Sequence, residues 1–203
     1  MRVYVESNFL LELVLNQQQA WSCVRLLLAA ESKVITLVVP AYALVESWDT
    51  VDRRKIKWKA WREQHSAQAR ELNRSPLTSP AGAGLKDADD DLLQVEQGLA
   101  ERRKLIWERI YQHVELIPID GRIVAEAARL NSDFGLRFPD AVMLSSVLAR
   151  LNENPGESLF MNRDAKGFDD PSIAAELARR ECKFFRDFDK GTSYISGGLG
   201  LAL

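Results

Sequence analysis

Two rhythms of apolar residues alternate along this chain. Residues 2–5 read as a short buried strand, and residues 33–39 (KVITLVV), rich in β-branched side chains and stopped by Pro40, read as a second. Between them Ser7 or Asn8 is placed to cap a helix reaching about Asn16, and residues 21–31 continue helically. After Pro40 the spacing of Leu44, Val45, Trp48 and Val51 predicts a helix running towards Asn73. Residues 75–86 (SPLTSPAGAGLK) carry two prolines and two glycines and predict the one clear loop. Residues 87–91 (DADDD) then load the start of a helix through Ile110 with negative charge, which suits its dipole.

Residues 114–119 (VELIPI) predict a strand or strand-like link. A helix over about 121–131 follows, and Gly135 ends that region. Pro139 opens another helix whose Ala141, Val142, Leu144, Ser145, Val147 and Leu148 face inwards. A short strand at 158–161, a helix at 171–181 and a last strand at 183–188 complete the pattern, and the tail from Gly191 has no assignment. Strands alternating with helices predict an α/β fold with a mainly parallel sheet. The expectation is one domain over 1–203, with a helical extension at about 50–112 and a tail at about 190–203.

Composition changes this picture little. The chain has 203 residues, enough for one sizeable core, and its net charge of −2 supplies no global basic field. Cys23 and Cys182 form neither a metal-ligand pattern nor a disulfide framework, and Cys23 sits in an apolar neighbourhood. No apolar run reaches 18 residues, so no membrane span is expected. The chain enters a strand-like stretch at once, which predicts no signal peptide and a cytoplasmic location.

Ligand sites in open α/β sheets form beyond the carboxyl ends of the strands. Four acids fall where the chain brings them to that edge: Glu6 after the first strand, Glu46 in the first turns of the helix after the second, Asp140 at the start of the helix entered at Pro139, and Asp164 after SLFMN. Each alone has an ordinary role as a helix-start charge, a solvated acid or a turn former. Together they are costly to bury without a cation. With no cysteine or histidine cluster, the cation suggested is Mg²⁺ or Mn²⁺.

In order, VYVESNFLLEL, VVPAYALVESW, LRFPDAVMLSSVLA and SLFMNRDAKGF resemble the four motif segments of the PIN domain family of metal-dependent nucleases. The resemblance spans most of residues 2–169, and its third and fourth segments are the more specific. It departs twice: Glu6 stands where the family has aspartate, and Asn162 stands where it has Ser or Thr. The resemblance implies a three-layer α/β/α domain in which Glu6, Glu46, Asp140 and Asp164 hold one or two Mg²⁺ or Mn²⁺ ions and cut RNA; Asp169 and Asp170 lie close by in sequence, either to supply a further ligand or as ordinary solvated loop acids. Asn8 and Asn162 are then orienting or substrate-contacting residues. It also implies the toxin half of a toxin–antitoxin pair, with an antitoxin protein as partner and homodimers common in the family.

RNA needs cations, and residues 52–74 supply them: eight, among them Arg53, Arg54, Lys55, Lys57 and Lys59, against three acids. Trp48, Trp58 and Trp61 are interleaved, either to stack on bases or to form the apolar stripe of an amphipathic helix. Competing expectations are a catalytically silent PIN-like module that binds RNA or a protein, which Glu6 favours, and a nuclease acting on structured DNA. A dehalogenase-like phosphatase would need aspartate at position 6.

Overall fold

The computed structural model describes residues 1–163, 168 and 170–199. Five strands form one parallel sheet: β1 (Arg2–Val5), β2 (Thr36–Pro40), β3 (Glu115–Ile117), β4 (Ser158–Met161) and β5 (Cys182–Phe185). Their spatial order is β3-β2-β1-β4-β5, so the first strand is central. Val3 pairs with Leu37 on one side and with Leu159 on the other. β1 and β4 are buried along most or all of their length, as parallel strands covered on both faces must be.

Helices flank this sheet: α1 (Ser7–Leu15), α2 (Ala20–Glu31), α5 (Gly121–Phe134), α6 (Phe138–Glu153), α7 (Pro171–Ala178) and α8 (Phe188–Leu199). Two further helices, α3 (Ala41–Leu72) and α4 (Ser79–His113), begin and end in the same unit but are mostly outside it. The chain divides into one unit of residues 1–47 with 107–203 and a second of residues 48–106.

Local chemistry explains most boundaries in the first unit. The Asp120 side chain caps α5 by accepting from the N–H groups of Arg122 and Ile123, and Gly135 (φ 63°) ends it in the left-handed region. α6 opens with Pro139 in its first turn and Asp140 beside it. Its buried Ser145 and Ser146 hydroxyls both donate to the Val142 carbonyl, so this nearly all-round buried helix leaves neither hydroxyl unpaired. Cys23 is fully buried as expected, and burial pushes its thiol pKa up.

In the second unit, the outer part of α3 and the first part of α4 form an antiparallel hairpin. Buried and half-buried residues recur at alternating spacings of three and four: Val51, Lys55, Trp58, Arg62, His65, Ala69 and Leu72 on α3, and Leu85, Asp89, Leu92, Glu96, Leu99, Arg103 and Ile106 on α4. Such spacing lays these residues along a seam on one face of each helix. Its charged members pair across it: Arg62 with Glu96 at 2.6 Å, and Arg103 with Asp52 at 3.0 Å.

Three sequence expectations are corrected. The loop expected over 75–86 is shorter, because α4 begins at Ser79 and runs through Gly82 and Gly84. Residues 87–91 therefore lie inside α4 rather than at its start. The tail without assignment is largely helical as α8. Among the described residues, no helix is long and apolar enough to cross a membrane.

Candidate metal centre at the edge of the sheet

Connections from β1 and β4 leave the sheet in opposite directions, one towards β2 and the other towards β5. Chains that diverge in this way open a crevice beyond the carboxyl ends of the two strands. Glu6 is the first residue after β1 and stands at that crevice. It is 4% exposed and occupies the N-cap of α1 in extended geometry, yet its side chain makes no cap hydrogen bond. The expected cap from Ser7 or Asn8 is replaced by another arrangement: the Ser7 hydroxyl donates to Glu6 Oε2 at 2.7 Å. Oε1 is buried without a hydrogen-bond partner. Burial pushes the Glu6 pKa up to about 7, Ser7 and Asn8 oppose that rise, and the neighbouring Glu46 charge adds to it.

Glu46 reaches Glu6 because β2 lies beside β1 and α3 starts where β2 ends, putting position 46 in the helix's second turn. Asp140 arrives from the other direction. β3 and β4 are parallel to their neighbours, so α6, which leads into β4, runs back against them and starts at their carboxyl edge. Asp140 is buried, its side chain 12% exposed, and its Oδ2 lies 3.1 Å from Nε of Arg137, whose own side chain is 73% exposed.

Asp164 and Asp169 lie outside the described residues. Just before them, Asn162 is 1% exposed and its backbone N–H donates to the Phe185 carbonyl at 3.0 Å. Next to it, Arg163 donates to the buried carboxylate of Glu12 and, at 2.8 Å, to Gln18 Oε1. Sequence reasoning missed Glu12, Arg137 and Arg163. Glu12 sits in an apolar run, SNFLLELVL, and that is the one signal that could have marked it as buried and paired.

The expected cationic stretch belongs to the hairpin. Arg53 is held by Asp49 at 3.1 Å, Arg54 and Lys55 are half-exposed, and Lys57 and Lys59 are exposed. Successive helical residues point 100° apart, so these side chains surround α3 and do not form one stripe. The Trp48 ring lies under the Arg103 guanidinium at 3.8 Å, and Trp61 stacks on His65 at 4.1 Å. Two of the three tryptophans thus each have a ring face engaged within the hairpin, and Trp48 is still 39% exposed.

The chemistry of this edge is that of carboxylate oxygens. Glu6 Oε1 is a buried acceptor lacking a donor, and the charge of Glu46 acts on the same carboxyl group, an arrangement that a hard cation would satisfy. Among the described residues, no three His, Cys, Asp or Glu side chains form a group that could hold a metal. No family model, no curated protein and no solved structure significantly matches this chain, so the reading of its function rests on its own residues.

Proposed function

We propose that the chain is a PIN-like, divalent-metal-dependent endoribonuclease. The observation that carries the proposal is Glu6: an acid with an orphaned buried oxygen, beside Glu46, at the crevice between β1 and β4. Glu6, Glu46 and Asp140, with Asp164 as the fourth acid of the resemblance, would hold Mg²⁺ or Mn²⁺. When bound, the ion would supply an activated water and charge neutralisation at the phosphodiester. Ser7 and Asn8 hold the Glu6 carboxylate in place, and Asn162, buried at the end of β4, suits an orienting role better than contact with substrate. Lys57 and Lys59 supply exposed charge for the RNA backbone, with Arg54 and Lys55 beside them. The role of toxin, restrained by an antitoxin protein, rests on the same resemblance.

Calorimetric titration with Mn²⁺, paired with cleavage of a labelled single-stranded RNA, tests this reading. The parent chain binds Mn²⁺ and cuts. Asp140→Asn and Glu6→Gln keep their circular dichroism spectra and lose both properties. Equal turnover by Asp140→Asn and the parent would remove the nuclease reading. Carboxylate-independent RNA binding without Mn²⁺ uptake would favour the silent module.

A further inference from the structure

We infer that the amino end of the sheet carries a phosphate-binding site, in which Arg2 holds the oxyanion between the hydroxyls of Thr36 and Ser158. The inference stands apart from the metal-dependent reading. Glu6 follows the other end of the same strand, about 13 Å away along β1.

In a parallel sheet, residues in register on neighbouring strands share a face, and so do residues two apart on one strand. Arg2 is in register with Thr36 of β2 and with Ser158 of β4, and Ser158 is in register with Cys182 of β5. A hydroxyl, a guanidinium, a second hydroxyl and a thiol thus cross the sheet in one row. A cavity of about 180 Å³ opens on this row, lined by Arg2, Thr36, Ser158 and the turn from Asn154 to Glu157 that enters β4. A single water needs roughly 10–15 Å³ of such space, so a polyatomic ligand has room.

The donors around this cavity lack acceptors. Ser158 is 2% exposed and its Oγ has no hydrogen-bond partner. Arg2 is half-buried, and its Nε is likewise buried and unpartnered. The Cys182 thiol beside Ser158 is only a weak acceptor. Among the described residues no carboxylate forms an ion pair with Arg2. Glu157 lines the cavity, but its carboxylate is held by Lys183, on the opposite face from Cys182, at 3.3 Å and by the Tyr194 hydroxyl at 3.0 Å. Glu115, the acid of the next row, is held by Arg150 at 3.1 Å. In that same row Tyr4 is wholly buried, and its hydroxyl is unpartnered as well. A partly buried cation is costly until an anion meets it, and water can fill the hydrogen bonds but brings no charge. A guanidinium fork flanked by hydroxyls is a donor set that phosphate oxygens match.

The test is a titration with inorganic phosphate at fixed ionic strength and without divalent metal, followed by backbone amide NMR shifts. In the parent, the amides of Arg2, Thr36 and Ser158 should shift and saturate together. Arg2→Gln should abolish those shifts, and Lys57→Gln in the hairpin should leave them unchanged. Ser158→Ala removes one hydroxyl and no charge, so it keeps the test intact if Arg2→Gln does not fold. It should raise the half-saturating concentration by about 5- to 10-fold, the scale of one hydrogen bond. A nucleoside monophosphate that saturates the same amides at lower concentration identifies a phosphate ester as the ligand, and equal or weaker binding identifies the free ion. Shifts confined to the hairpin, shifts that persist in Arg2→Gln, or the same shifts with acetate in place of phosphate overturn the inference.

Discussion

Arg163 donates to Glu12 across 151 positions of sequence, and the acid it meets has no solvent exposure. The second oxygen of Glu12 accepts from the Gln19 N–H at 2.7 Å, so one buried carboxylate ties the turn after α1 to the chain leaving β4. Removing one partner of such a pair strands a charge in low dielectric, whereas removing both does not. Arg163→Met should cost about 3 kcal/mol in urea unfolding, and Glu12→Gln added to it should recover a large part of that loss. Additive losses would mean that the two groups do not interact.

Glu6 makes stability depend on pH in the direction opposite to most carboxylates. Its pKa is about 7 in the fold against an ordinary 4.5. Below the lower value the group is protonated in both states and has no effect. Between the two values the unfolded chain ionises while the fold retains its proton, so stability falls as pH rises. Above about 7 the penalty levels off at about 3 kcal/mol. Glu6→Gln should therefore gain on the parent between pH 5 and pH 8, read from urea midpoints at both. A constant difference across that range would mean that burial does not raise this pKa.

Much of this edge was legible before any coordinates. The apolar runs at 2–5 and 158–161 became β1 and β4, and Pro139 opened α6 with Asp140 in its first turn. Glycine misled the reading twice. In α4, Gly82 is used for close approach: a Cβ there would sit 2.4 Å from Asn73 Oδ1 and 3.0 Å from the Ala69 carbonyl. In α8, Gly191 lies so close to Met161 that a Cβ would meet its terminal methyl at 2.5 Å. Both glycines are packing residues inside helices, and sequence alone shows them only as breakers. The Glu12–Arg163 and Arg137–Asp140 pairs were equally hidden, because only a finished fold can decide which acid meets which base.

Gly82 and its neighbour Gly84 allow a paired comparison within the hairpin. Gly84→Ala meets nothing within 4 Å and should stabilise α4 by about 0.5–1 kcal/mol through helix propensity alone. Gly82→Ala has the same intrinsic gain but must displace Asn73 and crowd the Ala69 carbonyl, so it should be neutral or destabilising. Thermal unfolding of the two variants decides it, and equal gains would contradict the close approach.

Gln19 latches the last helix. Its Oε1 accepts from the Phe188 N–H at 2.9 Å and its Nε2 donates to Asp187 Oδ2 at 2.7 Å. Gln19→Leu leaves a buried N–H without an acceptor and should cost about 2 kcal/mol. Hydrogen exchange should speed up most in the amides of α8, and uniform acceleration throughout the chain would argue against a local latch.

The strand order has a consequence for how this molecule comes into being. β1 can pair with β2 as soon as some forty residues exist, but its other edge waits for residues 158–161. Through most of synthesis the central strand is thus a bare template, open to capture by another nascent chain. The crevice that holds Glu6 cannot close before that late docking step, so truncated translation products should carry no trace of it.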